Sequence, residues 1–398
     1  MKAKVVIGAG FGDEGKGLFT DYFSSQHDKS IVVRFNGGAQ AGHTVTTPDG
    51  KRNVFSHFTS NSFLNNARGY LSKFFILNPL VFINEKKKLN NLGVQPEIAA
   101  HDYCHVTTIF DVALNQWLEM SRNNGRHGSC GLGIGETIER AEVGKIPLYL
   151  IDTYNKDVFY QKMKEIRNYF EVRINKLGLN KYLEENDFIL TDNVIEKFMS
   201  DMEEMKATLK CGVNNFNDEF FKGYNIVFEG AQGLMLDQTL GAFPYVTRSN
   251  TGLKNVIELC KENNIKNLDV LYATRCYKTR HGAGPMKLEL NEKPYPDIVD
   301  MTNIPNDYQG SIRFGYLDVN ELLYFIEEDI QSVREEMEIN QIKIHKMIGI
   351  SCLDQTKKVK YYEFNEEKEI SNKDFGFVLA RYGYYVLESF GPTRKTIE

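Results

Sequence analysis

The six cysteines of this 398-residue chain show no paired spacing and no CxxC. That argues against zinc and fits a reducing cytosol. There is no run of about 18 apolar residues, so no transmembrane helix is expected. The opening MKAKVVIGAG is too short an apolar stretch for a signal peptide and runs straight into a glycine loop. Excess basic charge is also missing. The net charge is −5 and the pI about 6.0, which predicts no coating of nucleic acid or anionic membrane. No internal repeat or low-complexity linker is visible. What remains is an ordinary globular mixture, 42% apolar and 25% charged, with ample material for a core. The length allows one large domain or two to three modules.

AKVVIGAG reads as a buried strand, GKGLFTDYFSSQ as a helix, and KSIVVRFNGG as a second strand ending in glycines. Strand, helix, strand predicts a parallel βαβ start. YNIVFEGAQG, NLDVLYATRC and HKMIGISCLD are further buried-strand candidates, each stopping at a glycine or polar loop. Ligands of open α/β sheets collect at such carboxyl ends. Residues 151–222 are rich in Lys, Glu, Asn and Phe at helical spacing, which predicts a helical insertion. Residues 285–312 carry four of the ten prolines and read as a loop-rich cover. The expected fold is a single α/β domain over 1–398, with a central, mostly parallel β-sheet, a P-loop-like phosphate-binding loop and helical insertions.

IGAGFGDEGKG fits two glycine patterns incompletely. The dinucleotide fingerprint needs an acidic residue about twenty positions on. Here the second strand ends in Arg34 and Asn36 instead. A P-loop needs Ser or Thr after its lysine to bind magnesium; here Gly17 follows Lys16. A plain strand-to-helix turn is the bland alternative. Asp13 argues against it. An acid beside a phosphate cradle repels phosphate unless a cation lies between them or the acid moves a proton. N–H groups at the helix start and Lys16 can still hold anionic oxygen. Glu14 has no clear assignment beyond favouring a helix N-terminus.

GDEGKG, together with GGAQAGHT (37–44), FEGAQGLMLD (228–237), PYVTRSNT (244–251) and TRHGAGP (279–285), resembles the adenylosuccinate synthetase family. The motifs are colinear, with a weaker echo at SFGPTR (389–394). The resemblance implies a ligase. A nucleoside triphosphate phosphorylates O6 of a 6-oxopurine nucleotide, and the amine of L-aspartate displaces the phosphate. It implies Asp13, His43 and Gln232 as catalytic residues. Asp13 would take the N1 proton, His43 would hydrogen-bond the moving phosphoryl, and Gln232 would hold the purine. Mg2+ would sit on Asp13 and the carbonyl of Gly42. Gly12, Glu14, Gly15, Lys16, Gly17 and Thr44 would bind nucleotide, with Asp354, Ser389 and Gly391 at the base of GTP or ATP. Gln40, Ser129, Cys130, Thr247, Thr279, Arg280, His281 and Arg313 would bind substrate. A cytoplasmic homodimer is implied, with neither nucleic acid nor membrane as partner.

Three departures bear on the substrate. The family's GTTGRGIGP is here GSCGLGIGE, with Cys130 for a phosphate-binding Thr and Leu132 for an arginine. Its run of four arginines is GSIRFGY, keeping only Arg313. Its cross-dimer arginine aligns near Gly144, with Lys145 or Arg140 as possible stand-ins. Cys352 also replaces a lysine beside the base. Arg280, Lys287 and Arg248 are candidate replacement cations. Two substrates therefore stand open. The stripped ribose and aspartate contacts favour dGMP, the substrate of a viral branch that makes 2-amino-deoxyadenylosuccinate. That branch commonly has Ser at position 13, so Asp13 favours IMP. A GTP-binding regulatory module without amination is the alternative from another class.

Overall fold

The structure is a computed structural model and describes residues 2–122, 128–299 and 310–398. Eight strands form the central sheet: β1 (Lys2–Gly8), β2 (Ser30–Arg34), β3 (Ala67–Leu71), β4 (Glu97–Ala100), β5 (Asn225–Glu229), β6 (Asn267–Arg275), β7 (Lys343–Ser351) and β8 (Tyr385–Glu388). Their order is β8-β7-β6-β1-β5-β2-β3-β4. Every neighbouring pair is parallel. Helix α1 (Lys16–Ser25) links β1 to β2. These two strands are not neighbours, because β5 pairs with both. The expected βαβ start thus has its elements in order, but a strand from about 190 residues later lies between them.

The apolar runs of β1, β2 and β5 follow from burial on both faces. Val5, Ile7, Val33 and Phe228 pack on one side. Val6, Val32 and Val227 pack on the other, against Phe19 and Phe23 of α1. The lysine-rich insertion is helical from Lys156 to Leu177 and from Asp192 to Lys206, and residues 207–224 run mostly in turns. Phe159, Met163, Ile166, Phe170 and Ile174 form the buried stripe of its long helix. They join a second core with Phe110, Leu114 and Trp117 of helix α3 (Ile109–Ser121). Helix α2 is Pro79–Asn91 and helix α4 is Ile134–Glu142. Of the expected cover, residues 285–299 hold one short strand, Glu289–Leu290; residues 300–309 lie outside the described residues. No helix among the described residues is long and apolar enough to cross a membrane.

Gly8, Arg34, Glu229, Arg275 and Ser351 end β1, β2, β5, β6 and β7 on one edge of the sheet. The chain leaves β1 toward β2 on one side, while β6 flanks it on the other. This is a switch point, where the loops splay and leave a crevice.

Candidate active site

The glycine loop after β1 is held from within. Glu14, almost fully buried, accepts the N–H of Gly10 at 3.1 Å and of Gly12 at 2.6 Å. Its other oxygen meets Lys16 Nζ at 2.8 Å. Glu14 therefore serves as a strut of the loop, the role that the sequence left unassigned. Lys16 is equally buried. The first N–H groups of α1 have no intrahelical acceptor and carry the positive end of the helix dipole. Gly15 caps that helix with φ 85°. Gly17 replaces the P-loop hydroxyl for a packing reason. A Cβ there would lie 2.7 Å from the carbonyl oxygen of Thr44, where the strand His43–Thr46 crosses α1.

His43 starts that strand and is buried. Its Nδ1 stands 2.6 Å from Oε1 of Glu229, the last residue of β5. Ser60 donates both its hydroxyl and its N–H to the same carboxylate. Arg34, fully buried at the end of β2, donates to the carbonyl of Ser56 at 2.9 Å and stacks over Phe75. Burial alone would raise the Glu229 carboxyl. The charge and hydrogen bond of His43, the charge of Arg34 and the Ser60 hydroxyl override it and hold the group at about 2. Burial pushes His43 down to about 4 against the pull of Glu229. At neutral pH the pair is thus an ionised carboxylate accepting Nδ1–H from a neutral imidazole. His43 Nε2 is buried and has no partner among the described residues.

Asn36 ties two loops together. Its amide accepts from Ala231 N at 2.7 Å and donates to Ala231 O at 3.0 Å. This holds Gln232, at φ 63°, against the glycine loop; a Cβ on Gly12 would lie 3.9 Å from Gln232 Oε1. Asp13 is also left-handed, at φ 61°, and its carboxylate is partly exposed. Arg275 Nε holds the Asp13 carbonyl at 2.5 Å, and Ser351 donates to the Glu14 carbonyl at 3.0 Å. The strand ends thus over-determine a backbone that few L-residues adopt. Asp13, His43 and Gln232 come together around one loop.

The other expected residues divide. Gly42 and Gln40 lie between β2 and the strand His43–Thr46, and both amide atoms of Gln40 are buried without a partner among the described residues. Ser129 donates to Asn115 of α3 at 2.8 Å and accepts from Gly131 N, so its hydroxyl organises its own loop. Cys130 is beside it, with burial raising its thiol to about 11. Gly128 and Gly282 are so close that a Cβ on Gly128 would lie 2.4 Å from Gly282 Cα. The Ser129–Cys130 loop and the Arg280–His281 segment therefore form one wall. His281 Nε2 is 3.5 Å from Asp13 Oδ2. Thr279 is buried opposite Phe314 in a short ladder. Thr247 is half-buried, its N–H bound to Leu236 O. Asp354 is exposed just past β7, and Ser389 O accepts from Leu353 N, which brings Asp354, Ser389 and Gly391 to one place.

Three suggested stand-in cations are otherwise engaged. Arg140 is a core strut, bidentate to Asp111 at 2.9 and 3.0 Å. Lys287 pairs with Asp318 at 2.5 Å, and Arg248 with Glu139 at 2.5 Å. Sequence reasoning missed Glu229, Asn36, Ser60 and Ser351. The available signal was a polar residue ending or following an apolar strand run, which Glu229, Asn36 and Ser351 all show.

The partly exposed Asp13 carboxylate is a hard oxygen donor of the kind magnesium takes alongside water and substrate phosphate.

These features define a nucleotide-dependent α/β enzyme whose phosphate loop carries its own acid. The sequence model of the adenylosuccinate synthetase family matches residues 5–373. The chain belongs to that family of nucleotide-dependent C–N ligases. It is 30% identical to the adenylosuccinate synthetase of Photobacterium profundum, over 92% of this chain and 82% of that one. With the Thermoplasma volcanium enzyme it shares 30% identity, over 92% and 79%. The fold is that of the fully ligated Plasmodium falciparum adenylosuccinate synthetase, with TM-score 0.70, 19% identity and 99% of each chain covered. It is also that of the cyanophage S-2L succinoaminodeoxyadenylate synthetase bound to dGMP and dATP, with TM-score 0.62, 16% identity, and 100% and 95% covered.

Proposed function

We propose that this protein joins L-aspartate to C6 of a 6-oxopurine nucleoside monophosphate, releasing nucleoside diphosphate and phosphate. The observation that carries the reading is that Asp13, His43 and Gln232 flank one phosphate loop and its helix, with His43 Nε2 buried and without a partner among the described residues. Asp13 removes the N1 proton, which moves electron density onto O6. Gln232 holds the purine in register. The first N–H groups of α1 and Lys16 face the phosphates. His43 Nε2 takes a proton from water as phosphate charge arrives and then donates that N–H as a hydrogen bond to the transferring phosphoryl. Glu229 keeps the ring oriented throughout. Asp13 and the carbonyl of Gly42 would hold magnesium, which would supply charge neutralisation at the phosphates.

IMP is the substrate best supported, because the relatives at 30% identity are adenylosuccinate synthetases. One observation favours dGMP. Cys130, Leu132, Gly310, Ser311 and Ile312 stand where the family pattern carries a threonine and arginines. Each lost charge-assisted hydrogen bond weakens binding by about 1.5–3 kcal/mol unless another group replaces it. Asp354, a carboxylate able to accept from guanine N1–H and its 2-amino group, favours GTP over ATP as donor. A cytoplasmic homodimer is part of the proposal.

The test is turnover with magnesium and L-aspartate, offering IMP, GMP or dGMP with GTP or ATP, the product read by mass. Adenylosuccinate from IMP alone supports the first reading. A succinylated product from dGMP with IMP silent replaces it with the second. Triphosphate binding with no phosphate release from any pair would indicate a regulatory module.

A further inference from the structure

Two neighbouring strands end on two consecutive carbonyls of the glycine loop. Arg275 of β6 and Ser351 of β7 stand opposite each other in the parallel register. Arg275 Nε donates to the Asp13 carbonyl at 2.5 Å, and Ser351 to the Glu14 carbonyl at 3.0 Å. Arg275 also reaches away from the loop. Its Nη1 donates to the Tyr277 hydroxyl at 3.1 Å, and that hydroxyl stands 2.5 Å from Gln355 Oε1. A guanidinium only donates, and a tyrosine hydroxyl carries one proton. The Tyr277 oxygen therefore accepts from Arg275 and gives its own proton to Gln355. Burial pushes the hydroxyl up, so it keeps that proton at neutral pH. The Tyr277 ring is buried against Tyr295 and Phe314, with ring centres 6.0 and 6.2 Å away. Gln355 closes the short helical turn Leu353–Gln355, directly after Asp354. At the other end, Asp13 holds φ 61°, a backbone that few L-residues adopt. The Asp13 carbonyl and the Glu14 N–H share one planar trans peptide and point to opposite sides of the chain. A donor that fixes the carbonyl toward β6 thus turns the Glu14 N–H away from β6. It also sets the angle at which the Asp13 carboxylate leaves the loop.

We infer that Arg275 is a positioning residue for Asp13, and that Tyr277 and Gln355 tie its posture to the segment that carries Asp354. This rests on the ligase reading above, in which Asp13 takes the purine proton and Asp354 faces the base of the triphosphate. The two nucleotide sites then share one chain of three side chains, with every donor and acceptor along it matched. Rotation of the Gln355 amide breaks the chain at one end, and rotation of the Asp13 peptide breaks it at the other. A donor base seated on the 353–355 turn therefore favours the backbone in which Asp13 is aimed. Arg275 acts through a carbonyl and touches neither nucleotide in this role.

The test uses the full chain and the variants Arg275→Met, Arg275→Lys, Tyr277→Phe and Gln355→Leu, with kcat and both nucleotide KM values measured for each. Arg275→Met should lower kcat about 10- to 100-fold, with the monophosphate KM within about threefold. Arg275→Lys offers the Asp13 carbonyl one donor without the fork and should recover part of the loss. Tyr277→Phe keeps the ring and removes the hydroxyl. It should lower kcat about 3- to 10-fold alone and add nothing in the Arg275→Met background. Gln355→Leu should match Tyr277→Phe in kcat. A lower melting temperature with kcat unchanged makes the chain a structural tie and overturns the inference. A loss confined to the monophosphate KM also overturns it, by making Arg275 a binding residue. A rise in the triphosphate KM alone for Gln355→Leu overturns the link to the base segment. If wild type turns over no nucleotide pair, the ligase reading fails. Hydrogen exchange across residues 8–15 then still decides the positioning role. Faster exchange there in Arg275→Met and Tyr277→Phe upholds it, and wild-type rates reject it.

Discussion

His43 Nδ1 and Glu229 Oε1 lie 2.6 Å apart, joining the strand that crosses α1 to the end of β5. The carboxylate holds one tautomer and one ring orientation. Glu229→Gln keeps the shape but presents an amide that can donate to Nδ1 and turn the tautomer round. By analogy with orienting carboxylates elsewhere, kcat should fall about 10³- to 10⁴-fold. The monophosphate KM should change little, since the ring serves the transferring group. A kcat within tenfold of wild type in steady-state assays would remove Glu229 from this role.

Asp13 combines a proposed proton transfer with a left-handed backbone, φ 61°. Asn tolerates that conformation better than most residues. Asp13→Asn should therefore melt within about 2 °C of wild type while turnover falls at least about 100-fold. Asp13→Ala should also lose turnover, with an added stability cost from the positive φ. Thermal melts and single-turnover assays on both variants separate the two effects. Retained turnover in Asp13→Asn refutes the base assignment.

The central strands were legible because both faces are buried. AKVVIGAG, SIVVRF, NIVFE, LDVLYATR and HKMIGIS are near-continuous apolar runs ending at glycine or a polar residue. The outer strands β3, β4 and β8 are four or five residues long. ARGYL, EIAA and YVLE lack a strong β pattern alone, and neighbouring strands supply what their sequence does not. The insertion of β5 between β1 and β2 is a non-local choice with no local signal. In the site, the motif residues Asp13, His43 and Gln232 could be read directly. Glu229 and Asn36 could not be assigned partners, because their partners lie 186 and 195 residues away. Glu14 was opaque for a similar reason: its role depends on how the loop curls around it.

Glu14 and Lys16 form a buried ion pair, side chains 5% and 4% exposed. Removing one member leaves the other charge buried, at a cost of about 3–5 kcal/mol. Glu14→Gln can still accept from Gly10 and Gly12, so its cost isolates the stranded Lys16 ammonium. Adding Lys16→Met removes that charge and should restore at least about half of the lost stability. Denaturant unfolding of the two single variants and the double variant completes the cycle. Additive losses would mean that the pair contributes nothing to the loop.

Asp329 is a buried carboxyl away from the chemistry. It accepts from Leu253 N at 2.8 Å and from the Tyr272 hydroxyl at 2.9 Å. Burial raises it from 3.8 to about 7 despite these bonds. Between those values the folded protein holds a proton that the unfolded chain has released. Its contribution to stability is therefore complete below about pH 4 and is lost as pH rises through about 7. Asp329→Asn, with no proton to lose, should abolish this dependence. Denaturation midpoints from pH 4 to 8 should show wild type losing stability relative to Asp329→Asn by on the order of 2–4 kcal/mol across the window. Parallel curves for the two proteins would show that Asp329 keeps an ordinary carboxyl pKa in the folded state.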